Sequence, residues 1–141
     1  MSWSARDQQL VRQVFHDYLA AWNEGRDAKA CAALYESDGD LLAADGVFLG
    51  SPREIERYYA DRLGGSYENF RVRDIEILSL RSIQPSVAIL DAKWEGYRVD
   101  EAGTPLEVVA KPMGTFVAVK KGDERRLPAV RIMIPWGPAD R

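Results

Sequence analysis

The stretch from Ser51 to Leu80, "SPREIERYYADRLGGSYENFRVRDIEILSL", changes its hydrophobic period partway along, and that change decides the fold class. In its first half Ile55, Tyr58, Tyr59 and Leu63 recur at three- and four-residue steps, the spacing that lines one face of an α-helix. Ser51 with Glu54 forms a capping box, Pro52 takes the first helical position, and Gly64-Gly65 supplies the stop. From Phe70 the period is two. "FRVRDIEILSL" reads as a strand, and so do "SVAILDAKWEGYRV", "PLEVVAKPMGTFVAVK" and "RRLPAVRIMIP", separated by turn-rich "RSIQP", "DEAGT" and "KGDE". The apolar phase slips between Val72 and Ile75, and Pro112 with Gly114 interrupts the third long strand, so bulges are expected to curve the sheet.

Upstream of this stretch, Leu10, Val11, Val14, Phe15, Tyr18, Leu19 and Trp22 make one apolar stripe of a long helix that Gly25 ends. Asp27 is the N-cap of a short second helix through Ala28 to Tyr35, with Cys31 and Leu34 on its packing face. "SDGD" breaks that pattern at Ser37. A short strand at Leu41 and Leu42, the Asp45-Gly46 turn and a second strand "VFL" follow. Helices first and sheet afterwards predict an α+β layer architecture, three N-terminal helices packed on a curved antiparallel sheet, in a single domain over residues 1–141.

Composition narrows the function classes. A net charge of -3 leaves no basic surface for phosphate backbones, so no nucleic-acid partner is expected. The basic group Lys120, Lys121, Arg125 and Arg126 straddles a turn and reads as a solvated hairpin tip. The single cysteine, Cys31, cannot form an internal disulfide, and with one histidine there is no zinc set; no metal or cofactor is expected, since no phosphate-cradling glycine loop is visible either. No run reaches signal-peptide or membrane-span length, so a cytoplasmic protein without a membrane partner is expected.

The order of these elements, with "AAWNEGRD", "LYESDGDLL", "GSPREIERYYADRL", "GTFVAVKK" and the closing "VRIMIP", resembles the nuclear transport factor 2-like superfamily. More narrowly it is similar to the SnoaL-like and ketosteroid-isomerase-like branch, including small members of polyketide and enediyne gene clusters. The resemblance implies a cone-shaped half-barrel of cystatin-like type with an apolar pocket at its open end, commonly dimeric. It places the branch's oxyanion-binding tyrosine at Tyr18 in "YLAAWNEG", and the supporting tyrosines at Tyr35 and Tyr59. The branch's proton-shuttling aspartate falls at Ala43 and its second acid at Gly114, so both carboxylates are missing. Tyr18, Tyr35 and Tyr59 read nearly as well as amphipathic core residues whose hydroxyls find partners, and their joint match to three pocket positions favours the functional reading.

Three acids stand near these positions. Asp40 and Asp45 read as solvated turn residues. Asp91 is in phase with Val87 and Ile89: facing the cone it would be a buried base, while the more apolar face of Ala88, Leu90, Ala92 and Trp94 would leave it on the outer surface near Lys93 or Arg131. The outer placement is favoured, because buried unpaired carboxylates are rare. His16 points away from Tyr18, and Cys31 reads as packing. The pocket wall is assigned to Trp22, Leu41, Phe48, Tyr58 and Trp94, with Phe116, Val130, Ile132 and Ile134 completing it. Such a wall suits a flat or polyenic apolar ligand. The resemblance implies a carbonyl-bearing small molecule of polyketide type, isomerised or cyclised in the enzyme reading and merely bound, sequestered or used for assembly in the alternative. Met113, Thr115, Val117 and Val119 form an outer stripe that a second copy would cover, giving a homodimer. Trp136 in the tail is a candidate cover for the cavity mouth, and Arg125 is a departure that loosens that end of the core.

Overall fold

The structure is a computed structural model and describes residues 4–135. Helix α1 spans Ala5–Ala20 and opens with a capping box in which Ser4 and Asp7 satisfy each other's backbone N–H. Its apolar stripe, Val11, Val14, Phe15, Tyr18 and Leu19, is buried. The helix does not stop at its end but widens into a π turn, Ala21–Gly25, before Arg26. That extra residue per turn swings Asn23 inward, where its side-chain amide takes both backbone groups of Val72, at 2.8 Å from the N–H and 2.5 Å from the carbonyl.

The second helix is shorter than its sequence suggests. Helix α2 covers only Ala28–Ala32, and Tyr35 opens strand β1, Tyr35–Leu42, instead of closing the helix. "SDGD" lies within that strand: Asp40 pairs in parallel with the last strand, while Ser37 to Gly39 fall in a register shift between Tyr35 and Asp40, a bulge that keeps the local preference of Ser, Asp and Gly inside the strand. Strand β2 is only Phe48–Leu49, and helix α3 spans Pro52–Leu63 behind its Ser51 cap. The remaining strands are β3 (Phe70–Gln84), β4 (Val87–Val99), β5 (Pro105–Ala110), β6 (Met113–Lys121) and β7 (Glu124–Met133).

The sheet runs β2-β1-β7-β6-β4-β3, with β5 beside β4. It is mixed, since β1 and β7 are parallel while every other pairing is antiparallel; this corrects the all-antiparallel expectation. Pro112 splits the third long strand into β5 and β6, and β3 shifts register against β4 between Asp74 and Glu76, where the sequence phase slips. The helices cover one face of the curved sheet, burying Ala88, Leu90, Ala92 and Trp94 of β4 and Phe116 and Ala118 of β6. An edge-to-face cluster of Phe15, Tyr18, Trp94 and Phe116, with ring centroids 5.2 to 6.0 Å apart, locks α1 to that face. Each such pair adds about 0.5 to 1.5 kcal/mol beyond its buried area.

The hairpin between β6 and β7 is not wholly solvated. The Arg125 side chain is 3% exposed and donates to Asp7 Oδ1 at 2.8 Å, tying the start of α1 to β7. Lys121 reaches Glu36 at 2.7 Å. Arg125 therefore joins the fold together at the end it was expected to loosen. No helix among the described residues is long and apolar enough to cross a membrane.

Candidate functional site

A cavity of about 120 Å³ lies between the helices and the inner face of the sheet. Tyr18 and Trp22 enter from α1 and its π turn, and Tyr58 and Tyr59 from α3. Val72 and Trp94 form the sheet side, Ile132 and Ile134 the β7 side, and Ala43 and Ala44 follow the end of β1. Tyr67 and Phe70, on the segment after α3, close the wall beside Ala110 and Pro112. Trp22 is the hub of this wall, with Tyr59, Tyr67 and Phe70 rings 5.3 to 5.5 Å from its own.

Arg26 holds the closing segment in place. It sits in the left-handed region at φ 48, an arrangement that costs a non-glycine residue on the order of 1 kcal/mol. Its guanidinium offsets that cost by donating to the carbonyls of Trp22 (2.8 Å), Phe70 (2.8 Å) and Tyr67 (2.6 Å), with longer bonds to Glu68 and Leu63. One cation thus fixes the backbone that carries both Tyr67 and Phe70.

The cavity's side-chain polar groups are phenol hydroxyls, which donate and accept, and an indole N–H, which only donates. The Tyr18 and Tyr59 hydroxyls are 3.5 Å apart and both residues are buried. Trp22 Nε1 is buried near the Tyr18 phenol but within hydrogen-bond distance of no acceptor among the described residues. Burial pushes the Tyr18 phenol up to about 12, opposed by the Tyr59 hydroxyl and the Trp22 indole. Burial, and then the neighbouring Tyr18 phenol, hold Tyr59 well above the ordinary tyrosine value. These phenols therefore stay protonated at neutral pH and can donate.

The predicted site residues divide into three groups. Tyr18, Trp22, Tyr58, Tyr59, Trp94, Ile132 and Ile134 come together on the cavity wall. Leu41, Phe116 and Val130 are core residues, buried but not on the wall, and so is Tyr35, whose hydroxyl has no partner and is not bonded to Tyr18 or Tyr59. Burial, and then Tyr18, push the Tyr35 phenol well above its usual value. Phe48 is misplaced by the sequence reading: it is 57% exposed, because a strand of two residues at the sheet edge has nothing packed over its outer face. Trp136 lies outside the described residues.

None of the three acids lines the cavity. Asp91 is on the outer face, accepting from Thr115 Oγ1 at 2.5 Å, so it is not a base for the cavity. Asp40 is no turn residue: it sits in β1 and accepts from Arg131 at 2.7 Å. Asp45 does stand in its turn, where it accepts from Val47 N–H, but its other oxygen takes the Tyr58 hydroxyl at 2.9 Å and Arg62 at 3.3 Å. At the two positions where acids are missing, Ala43 is buried on the cavity wall, and a Cβ on Gly114 would stand 2.8 Å from the Trp94 ring. The indole fills the space an acid would need. His16 pairs with Asp74 at 3.4 Å on the surface, and burial pushes the Cys31 thiol up to about 12. Tyr67 and Phe70 are the wall residues that periodicity could not find, since they lie in or next to a loop.

No family model matches the chain, and no curated protein matches it in sequence. Solved structures do match it in shape. One is a protein of Nostoc punctiforme described as a domain of unknown function with a cystatin-like fold, at TM-score 0.83 and 14% identity, covering 96% of this chain and 81% of that one. Another is an NTF2-like protein with a cystatin-like fold from Novosphingobium aromaticivorans, at TM-score 0.78 and 12% identity over 96% and 86% of the two chains. A third, a ketosteroid isomerase-like protein from Erwinia carotovora, gives TM-score 0.74 and 18% identity over 95% and 100%. At these identities the likeness establishes the fold: the chain is an α+β domain of the cystatin-like, NTF2-like type.

Proposed function

We propose that this protein binds a compact apolar molecule, about one ring in size, that carries a single hydrogen-bond-accepting oxygen. The observation that carries the reading is an aromatic cavity whose wall holds the protonated Tyr18 and Tyr59 phenols and the Trp22 indole N–H, with no carboxylate on that wall among the described residues. Size supports it: about 120 Å³ is room for roughly four waters' worth of volume, below the ~300 Å³ where drug-sized sites begin. Tyr18 is the primary donor, Tyr59 polarises it, and Trp22 Nε1 supplies a second N–H to the same region.

The finer reading, isomerisation or cyclisation of a polyketide-type carbonyl compound, requires a base within hydrogen-bond reach of the proton it removes. Ala43 and Gly114 occupy the positions where the resemblance calls for acids, Asp91 is on the far side of the sheet, and Asp45 is engaged by Tyr58 and Arg62. Binding or sequestration without turnover is therefore preferred. Calorimetric titration with cyclohexanone and its oxygen-free isostere methylenecyclohexane tests it. The ketone should bind ~3- to 10-fold tighter, the worth of one neutral hydrogen bond; equal affinities, or no binding of either, would refute the reading.

The partner on the outer face is a second copy. Register places Asp91 of β4, Thr115 of β6 and Arg131 of β7 in one row, with β4 and β7 on opposite sides of β6. A two-fold axis along β6 over Thr115 sets each Asp91 opposite the partner subunit's Arg131, flanked by the apolar Met113 and Val117. Arg131 has donors beyond the one that meets Asp40.

A further inference from the structure

A second concavity is larger than the cavity. A cleft of about 700 Å³ opens between α2, α3 and the start of β1, to one side of α3's buried face. Between the two helices it is lined by small groups, Ala32, Ala33 and Ala60 with the Pro52 ring, which leave a trough where longer side chains would fill it, and Tyr35 and Ser37 close its β1 end. Its rim carries Lys29, Arg53, Arg57 and Arg126. Four cations against the single acid Glu56 give the cleft a formal charge of +3, in a chain whose net charge is -3.

These cations are little used by the fold. Lys29, Arg53 and Arg57 are exposed and make no ion pair with a described residue. Arg126 meets Glu124 at 3.4 Å and the carbonyls of Ala33 and Tyr35 at the same distance, all long. Arg53 and Arg57 are one helical turn apart, where like charges repel. A concave surface lined by one sign of charge focuses its potential into the cleft and draws in the opposite charge.

We propose that this cleft binds a phosphorylated small organic molecule. A phosphate monoester brings about two negative charges and three acceptor oxygens, which answers the local charge better than a single carboxylate. The guanidinium forks of Arg53 and Arg57 suit bidentate contact with phosphate oxygens, Lys29 acts as a point charge, and the alanine and proline floor takes the apolar body. The site is independent of the cavity proposal, because the two share no lining residue.

Titration calorimetry at low ionic strength with phenyl phosphate, inorganic phosphate and benzoate, beside flotation with vesicles containing phosphatidic acid, tests this. Phenyl phosphate should bind saturably, roughly tenfold tighter than benzoate, and more tightly than inorganic phosphate because of the floor. Arg53→Gln with Arg57→Gln should weaken it at least about tenfold, while Glu56→Gln should tighten it. Both variants lie on exposed positions of α3, and their unchanged melting and unchanged cyclohexanone titration verify that the fold is intact. No saturable binding, equal affinity for benzoate, an unchanged double variant, or binding to vesicles alone would each overturn the proposal.

Discussion

The cavity and the α2/α3 cleft make opposite use of one scaffold. In the cavity, aromatic rings make up half of the wall, its side-chain polar groups are neutral phenols and an indole N–H, and no described residue on the wall can take a proton at neutral pH. In the cleft, the walls are open, four permanent cations outnumber the single acid Glu56, and the floor is largely of small apolar groups. A buried donor without a partner costs about 1 to 3 kcal/mol until something accepts from it, whereas an exposed cation is already solvated. On the two proposed readings the cavity would select by shape and by one hydrogen bond, and the cleft would select by charge and weaken with salt. Distance from solvent, more than residue type, separates the two.

Damage to the cavity wall should spare the cleft, and the largest effect is expected at Gly96. A Cβ there would stand 2.1 Å from Phe70 Cζ, so Gly96→Ala must displace a wall ring and should lower unfolding free energy by ~3 kcal/mol or more in urea titrations. Next comes Arg26→Ala, which frees the carbonyls of Trp22, Tyr67 and Phe70; a loss of ~2 to 3 kcal/mol is expected, with weaker cyclohexanone binding and unchanged phenyl phosphate binding. If both ligands weaken equally, the two regions are not separable.

Much of this comparison was legible in the chain. The Ser51 N-cap, the Asp45-Gly46 turn, the phase slip after Val72 and the break at Pro112 are local signals, and each fell where the structure has it, although Glu54 returns to the Gly50 N–H instead of closing the capping box on Ser51. The outer face of Asp91 followed from the alternation of its strand. What escaped depends on distant partners. "SDGD" runs into a strand because Asp40 pairs with β7 beyond a bulge, Arg125 is buried because Asp7 meets it, and Arg26 matters through carbonyls more than 35 residues away. Phe48 was taken for a wall residue because alternation shows which residues share a face but not whether anything covers it. The cleft escaped entirely, since its cations are scattered from Lys29 to Arg126.

The neutral phenols give a pH test. The Tyr18 phenol ionises near 10 when unfolded and near 12 when folded, so the unfolded state loses its proton first. Stability should be fully present below pH 10 and fall as pH rises toward 12, by on the order of 2 to 3 kcal/mol from this group, with Tyr35 and Tyr59 acting in the same direction. Tyr18→Phe should flatten part of that slope; an unchanged slope would place the hydroxyl in solvent. The outer face responds to charge reversal with a smaller effect. Asp91→Lys should weaken dimers in sedimentation by roughly 1 to 2 kcal/mol, and adding Arg131→Asp should restore them. A wild-type chain that sediments as a monomer would contradict the outer-face pairing.

The central claim is that the Tyr18 hydroxyl binds a ligand oxygen in the cavity, and one thermodynamic cycle addresses it most directly. Cyclohexanone and methylenecyclohexane are titrated into the wild-type protein and into Tyr18→Phe. The account predicts that the ketone's ~3- to 10-fold advantage disappears in the variant while the hydrocarbon binds as before. A ketone advantage that survives the loss of the hydroxyl would contradict it.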